Sequence, residues 1–158
     1  LVQELTASAK PFFYWVPMKD IKTTIYSTIT NDATFKTLTG ATASDKRLYQ
    51  HFPQKDIAKI NPWVTYFTVT SSPVLDTGDI TDPDLIFVFD IWGVDMDAVE
   101  DVFDRIQTLL DRQRFITTDH DVLFTRLESF NDLVEVQPDL ATIYHKNVRY
   151  LMVGVFQT

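Results

Sequence analysis

The chain has no cysteine. That excludes a disulfide framework, a thiolate metal site and thiol catalysis, and it fits a reducing compartment. Glycine is scarce, with four in 158 residues, which leaves no room for a Gly-rich phosphate loop. No apolar run approaches the roughly 18 residues of a membrane-spanning helix. The sharpest deficit is of positive charge. Between Lys59 and Arg105 there is no Lys, Arg or His, while ten residues are acids: Asp76, Asp79, Asp82, Asp84, Asp90, Asp95, Asp97, Glu100, Asp101 and Asp104. Eight bases and five acids precede that segment, and six bases and seven acids follow it. The segment therefore holds more than the whole net charge of -8. Such a chain lacks the clustered bases that binding to a phosphate backbone requires.

What is present is globular. A 45% hydrophobic fraction with 13% aromatics argues against disorder, and this length fits one domain able to bury its core without staples. The expected organisation is an N-terminal extension or arm over residues 1–17 and a single domain over 18–158. The aromatic run Phe12, Phe13, Tyr14 and Trp15 favours an arm packed on a neighbour, because four adjacent aromatics in water are an aggregation hazard.

Met18, Ile21, Ile25 and Ile29 recur at helical spacing and predict a first helix. Asn31-Asp32 breaks it or starts a short second turn, which Thr39-Gly40 closes. Arg47 to Phe52 reads as a short strand. Trp63 to Thr70 is rich in aromatic and β-branched residues, as strands are. Ser71 to Asp84 is a long acidic loop. Leu85 to Trp92 is almost continuously apolar, which predicts a central strand ended by Gly93. Asp97 and Glu100 have capping-box spacing at the start of an amphipathic helix. Its stripe is Val99, Val102, Phe103, Ile106, Leu109 and Leu110. Arg105, Arg112 and Arg114 near its end would complement the helix dipole. Val122 to Ser129 and Val148 to Phe156 read as strands, with Arg149 outward and Gly154 as a candidate bulge. Leu133 to Tyr144, which contains Pro138, fits neither period. The expected class is α+β: a mainly antiparallel or mixed sheet, with the N-terminal and central helices packed on one face.

Motifs that carry chemistry are few. Asp119-His120-Asp121 is the one acid–His cluster, but neighbouring strand residues point to opposite faces and a metal would need further donors. It reads as a turn before a strand. His51 and His145 each stand alone and read as structural or exposed. Asp76, Asp79, Asp82 and Asp84 lack the spacing and terminal Glu of a calcium loop. Otherwise they read as a solvated interaction surface. Trp92-Gly93 reads as a ligand-stacking platform or, more simply, as a core aromatic before a turn. No catalytic residue, cofactor site or metal site is assigned.

Four segments together carry a resemblance. They are Lys19-Asp20-Ile21-Lys22-Thr23-Thr24-Ile25-Tyr26, Leu48-Tyr49-Gln50-His51-Phe52-Pro53, Asn61-Pro62-Trp63-Val64-Thr65-Tyr66, and Asp90-Ile91-Trp92-Gly93 before the helix with Val99, Ile106 and Leu110. In this order and spacing, over about Met18 to Phe156, the chain resembles the tail terminator, or tail-to-head joining, proteins of long-tailed phages, also called minor tail or tail-completion proteins. The N-terminal aromatic stretch and residues 131–147 depart from the family pattern. The resemblance implies a non-enzymatic α+β subunit without cofactor, assembled in the host cytoplasm and located in the tail or neck of the virion. It implies a hexameric ring that caps the tail tube, stops its polymerisation and meets a head-completion or connector protein. DNA would pass through the ring without specific binding, and Asp76, Asp79, Asp82 and Asp84 would contact a ring neighbour or partner or line the channel. The expectations from other classes are a stopper protein of the same neck, a small-molecule binding module using Trp63 and Trp92, and a hydrolase with a carboxylate site.

Overall fold

The computed structural model describes residues 19–51, 60–70, 75–76, 79–80, 85–118, 120–136 and 142–157. Helix α1 spans Lys19–Asn31 and buries Ile21, Ile25, Ile29 and Thr30. Its threonines are poor helix formers. Thr23 and Thr30 donate their hydroxyls to the carbonyls of Lys19 and Tyr26, one turn back. Helix α2, Ala33–Thr39, is capped by Asp32, whose carboxylate accepts from the Phe35 amide at 2.7 Å. Gly40 ends it at φ 65°, the left-handed conformation that lets its amide reach the Lys36 and Thr37 carbonyls.

Strands β1 (Leu48–Gln50) and β2 (Trp63–Thr70) follow, then two short pieces, β3 (Leu75–Asp76) and β4 (Asp79–Ile80), then β5 (Leu85–Gly93). Helix α3 spans Met96–Leu110, and β6 (Phe115–Ile116), β7 (His120–Val136) and β8 (Thr142–Gln157) complete the chain. The main sheet has the order β1-β2-β5-β8-β7-β6, with β3 and β4 paired separately. Only β1 and β2 run parallel; every other pair in the main sheet is antiparallel. The class is α+β.

Side chains of directly paired residues share a face of the sheet. Tyr66, Phe89 and Val148 are matched across β2, β5 and β8, as are Phe87 with Tyr150 and Leu85 with Met152. All seven join the core with Ile21, Ile25, Val99, Val102 and Ile106 from the helices. The rings of Tyr26, Tyr66, Phe89 and Tyr150 form a chain with centroids 6.0 to 6.2 Å apart. Each such burial contributes about 1.5–3 kcal/mol.

The structure corrects several local expectations. The first strand is three residues, Leu48–Gln50, because His51 turns the chain at φ 65°. The cap of α3 is Asp95, whose carboxylate accepts from the Asp97 amide, so the Asp97–Glu100 capping box does not form. No base occupies the last turn of α3. Arg105 instead reaches Asp32, and Arg112 and Arg114 lie beyond the helix. The long acidic segment contains the paired pieces β3 and β4. The separate readings over 122–129, 133–144 and 148–156 merge into one hairpin of strands 17 and 16 residues long. Its irregularity falls between Leu127 and Ser129, and the register runs unbroken past Gly154. At that point the Leu127 amide leaves the ladder for the Asp111 carboxylate, 2.9 Å away.

Candidate interaction surface

The sheet face turned away from the helices carries the polar groups. Trp63, Trp92 and His145 lie in register across β2, β5 and β8, with Thr65, Asp90 and Asn147 in the next row. The imidazole of His145 stacks on the Trp92 indole at 3.8 Å and 8°. Trp63 lies parallel to Trp92 with centroids 6.4 Å apart. The indole nitrogen of Trp92 donates to the Thr65 hydroxyl at 3.3 Å. Asp90 takes His145 Nε2 at 2.9 Å and Asn147 Nδ2 at 2.6 Å on one oxygen. Burial pushes the Asp90 carboxyl up, but these two hydrogen bonds outweigh it and hold the group below the usual carboxylate range.

The expectation that His145 stands alone is therefore corrected. Its Nδ1 also faces the Glu135 carboxylate at 3.7 Å. One ring face is on Trp92 and Nε2 is committed to Asp90, so the group joins β5 to β8. Trp92, with one face on His145, offers no open slot there for a stacked ligand. Sequence reasoning missed this cluster because a nine-residue strand and a sixteen-residue strand, far apart in the chain, must first be placed in register.

On the helix face, Lys146 is buried. Its Nζ meets Asp132 at 2.5 Å and Glu100 at 2.9 Å, and lies 4.8 Å from the ring centres of Phe103 and Phe130. Burial favours the neutral amine, but the bonds to Asp132 and Glu100 outweigh it and raise the ammonium's pKa above its ordinary value. Lys146 thus fastens α3 to both strands of the hairpin. Beyond it comes the hairpin's end, an arm whose described residues pass β5 only at 135–136 and 142–143. Residues 130–136 are all exposed, among them Phe130, Leu133, Val134 and Val136. Exposed apolar side chains gathered on one strand mark a contact surface more often than a solvated one. Among the described residues, β6 pairs with β7 only at Asp121 and Val122, so most of the outer edge of β7 has no strand beside it.

At the opposite end of the sheet a groove of about 560 Å³ lies between α1 and β6. Lys19, Asp20, Thr23, Thr24, Ile116, Thr117 and Thr118 line it. Asp20 accepts a short hydrogen bond from the Thr117 hydroxyl.

The other residues singled out in the sequence fall elsewhere. Asp76 and Asp79 are backbone partners of each other in the β3–β4 ribbon. Asp82, Asp84 and the aromatic run Phe12, Phe13, Tyr14 and Trp15 lie outside the described residues, as does Asp119. Asp121 pairs with Arg114 at 3.4 Å. Among the described residues no group of three or more His, Asp or Glu side chains could hold a metal ion, and no helix is long and apolar enough to cross a membrane.

No protein-family model matches the chain, and no curated protein matches it. Its fold is similar to that of a chain from the virion of the native gene transfer agent particle. The two are 11% identical, the TM-score is 0.63, and the match covers 92% of this chain and 100% of that one. At that identity the likeness is one of fold.

Proposed function

We propose that this protein is a structural component of a virion, without enzymatic activity, which forms a six-fold ring at the end of a phage tail tube. In this reading the ring caps the tube, stops its polymerisation and presents a surface to a head-completion or connector protein, while DNA passes through. The observation that carries it is the full-length fold likeness to a virion chain. The sequence resemblance to tail terminators supplies the finer role. The exposed arm supports it too, since a subunit that works only in an assembly keeps apolar surface outside its own core. The titratable cluster at Asp90 and His145 fits a role in joining strands, with its groups committed to one another.

Ring subunits meet head to tail through two different faces. Sedimentation from micromolar to millimolar concentration, with and without isolated tube ends, tests the reading. A hexamer, or a monomer that forms rings on tube ends, is the expected result. A monomer or two-fold dimer under every condition would remove it. A ring that binds the head connector and ignores the tube would instead favour a stopper protein of the same neck.

A further inference from the structure

Nδ1 of His145 is buried and has no hydrogen-bond partner among the described residues. It faces the Glu135 carboxylate at 3.7 Å, while Nε2 holds Asp90 at 2.9 Å. The imidazole side chain is 10% exposed and that of Glu135 46%. The three groups come from three strands. Asp90 lies on β5 and His145 on β8, and Glu135 lies on β7 in the first row that runs past the end of β5. An ionised Asp90 can only accept, so Nε2 carries a hydrogen. In the neutral ring Nδ1 is then a lone pair facing an anion, with no hydrogen between them. A second proton makes Nδ1 a donor and turns the same contact into an attraction between opposite charges. The ring also lies parallel to the Trp92 indole at 3.8 Å, and an aromatic face attracts a cation. The other described side chains around the imidazole are uncharged: Trp92 and Leu133 in its own row, Trp63 beyond Trp92, and Thr65 and Asn147 in the next row. Lys146 and Asp132 are paired with each other one step along the strands, on the opposite face of the sheet. Asp90 and Glu135 are thus the charged groups that face the ring.

We propose that His145 is a proton-operated latch on the end of the β7–β8 hairpin. Protonated, it bridges Asp90 and Glu135 and fastens the end of β7 to β5. Neutral, it keeps Asp90 and releases Glu135. Histidine changes charge between about pH 5 and 8, a range above the ordinary titration of carboxylates. The grip is therefore present at the acid end of that range and lost as pH rises through it. The effect is local to the exposed end of the hairpin, and it stands whether or not the protein forms a ring.

Hydrogen exchange at the amides of residues 132–136, corrected for the intrinsic pH dependence of exchange, tests the latch. In wild type these amides should be about two- to five-fold better protected at pH 5 than at pH 8, the range expected of a partly exposed ion pair. Glu135→Gln keeps the shape and removes the anion at a half-exposed position, so the fold is retained and the pH dependence should vanish. In an NMR titration of the wild type, the Glu135 carboxyl signal should move in step with the His145 ring protons. Protection that does not change with pH in wild type overturns the latch. So does a pH dependence that survives in Glu135→Gln, because another group then governs it. A Glu135 signal that ignores the imidazole titration overturns it as well.

Discussion

At the residue scale, Lys146 decides how the arm is held. A buried ammonium is tolerable only when its donors are used, and here Glu100 and Asp132 accept from it while the rings of Phe103 and Phe130 flank the charge. Both carboxylates reach solvent, so removing the lysine strands no buried charge. Lys146→Ala should cost about 2–3 kcal/mol, the scale of hydrogen bonds to charged groups, measured as a lower urea midpoint. Asp32 has a double duty. It caps α2 and binds Arg105 of α3 at 2.6 and 2.9 Å. Asp32→Ala should cost about 1–2 kcal/mol from the cap alone. These roles were hidden in the sequence. Asp95 and Asp97 are both plausible caps two residues apart, and only the extended backbone at Asp95 decides between them. The lone look of His145 came from reading along the chain, while its partners Trp92 and Asp90 come from a neighbouring strand.

At the element scale, legibility followed burial. The stripe of α3 could be read because one face is wholly buried: Val99, Val102, Phe103, Ile106 and Leu110 are all in the core, and Leu109 packs against it. β5 was equally plain, since its helix-facing positions are all apolar. The arm was not, because period-2 alternation appears only where one face is buried and the other wet. From Phe130 to Val136 both faces are exposed, so Leu133, Val134 and Val136 fall in no pattern. Hydrogen exchange on the free protein should show this difference. The amides of β5 and the buried turns of α3 should exchange near the global unfolding rate, and those of residues 132–136 much faster. Equal protection of both would mean that the arm is packed in the free subunit. The core end carries the cost of disruption: Phe89→Ala should destabilise by about 3–5 kcal/mol, whereas Val134→Asp should stay within about 0.5 kcal/mol.

At the scale of the molecule, the order of the sheet was the hardest thing to read. The last strand, β8, inserts between β5 and β7, and no local pattern encodes that. What the sequence did reveal was the class and the charge. The charge has a consequence for stability because carboxylates link elements far apart in the chain: Asp32 ties α2 to α3 through Arg105, and Asp90 ties β5 to β8 through hydrogen bonds to His145 and Asn147. The pKa of Asp32 is lowered by the Arg105 hydrogen bonds, and that of Asp90 is lowered because His145 and Asn147 outweigh the effect of burial. A carboxyl whose folded pKa lies below its unfolded value of about 3.9 stabilises the fold fully above about pH 5. That contribution is lost as pH falls through the folded value, so stability should drop below about pH 4. Lys146 acts in the opposite sense: its raised pKa gives stability that is present below its ordinary value of about 10.4 and lost at higher pH. Urea midpoints between pH 2 and 11 should therefore form a plateau with two falling limbs. Asp32→Asn/Asp90→Asn should lower the plateau and flatten the acid limb while leaving the alkaline limb in place. Lys146→Met should do the reverse. An acid limb of unchanged slope in the double variant would show that these two carboxylates do not govern it. The partial exposure of the Asp32–Arg105 pair also predicts that its share of the limb shrinks in high salt, while the more enclosed Asp90 cluster keeps its share.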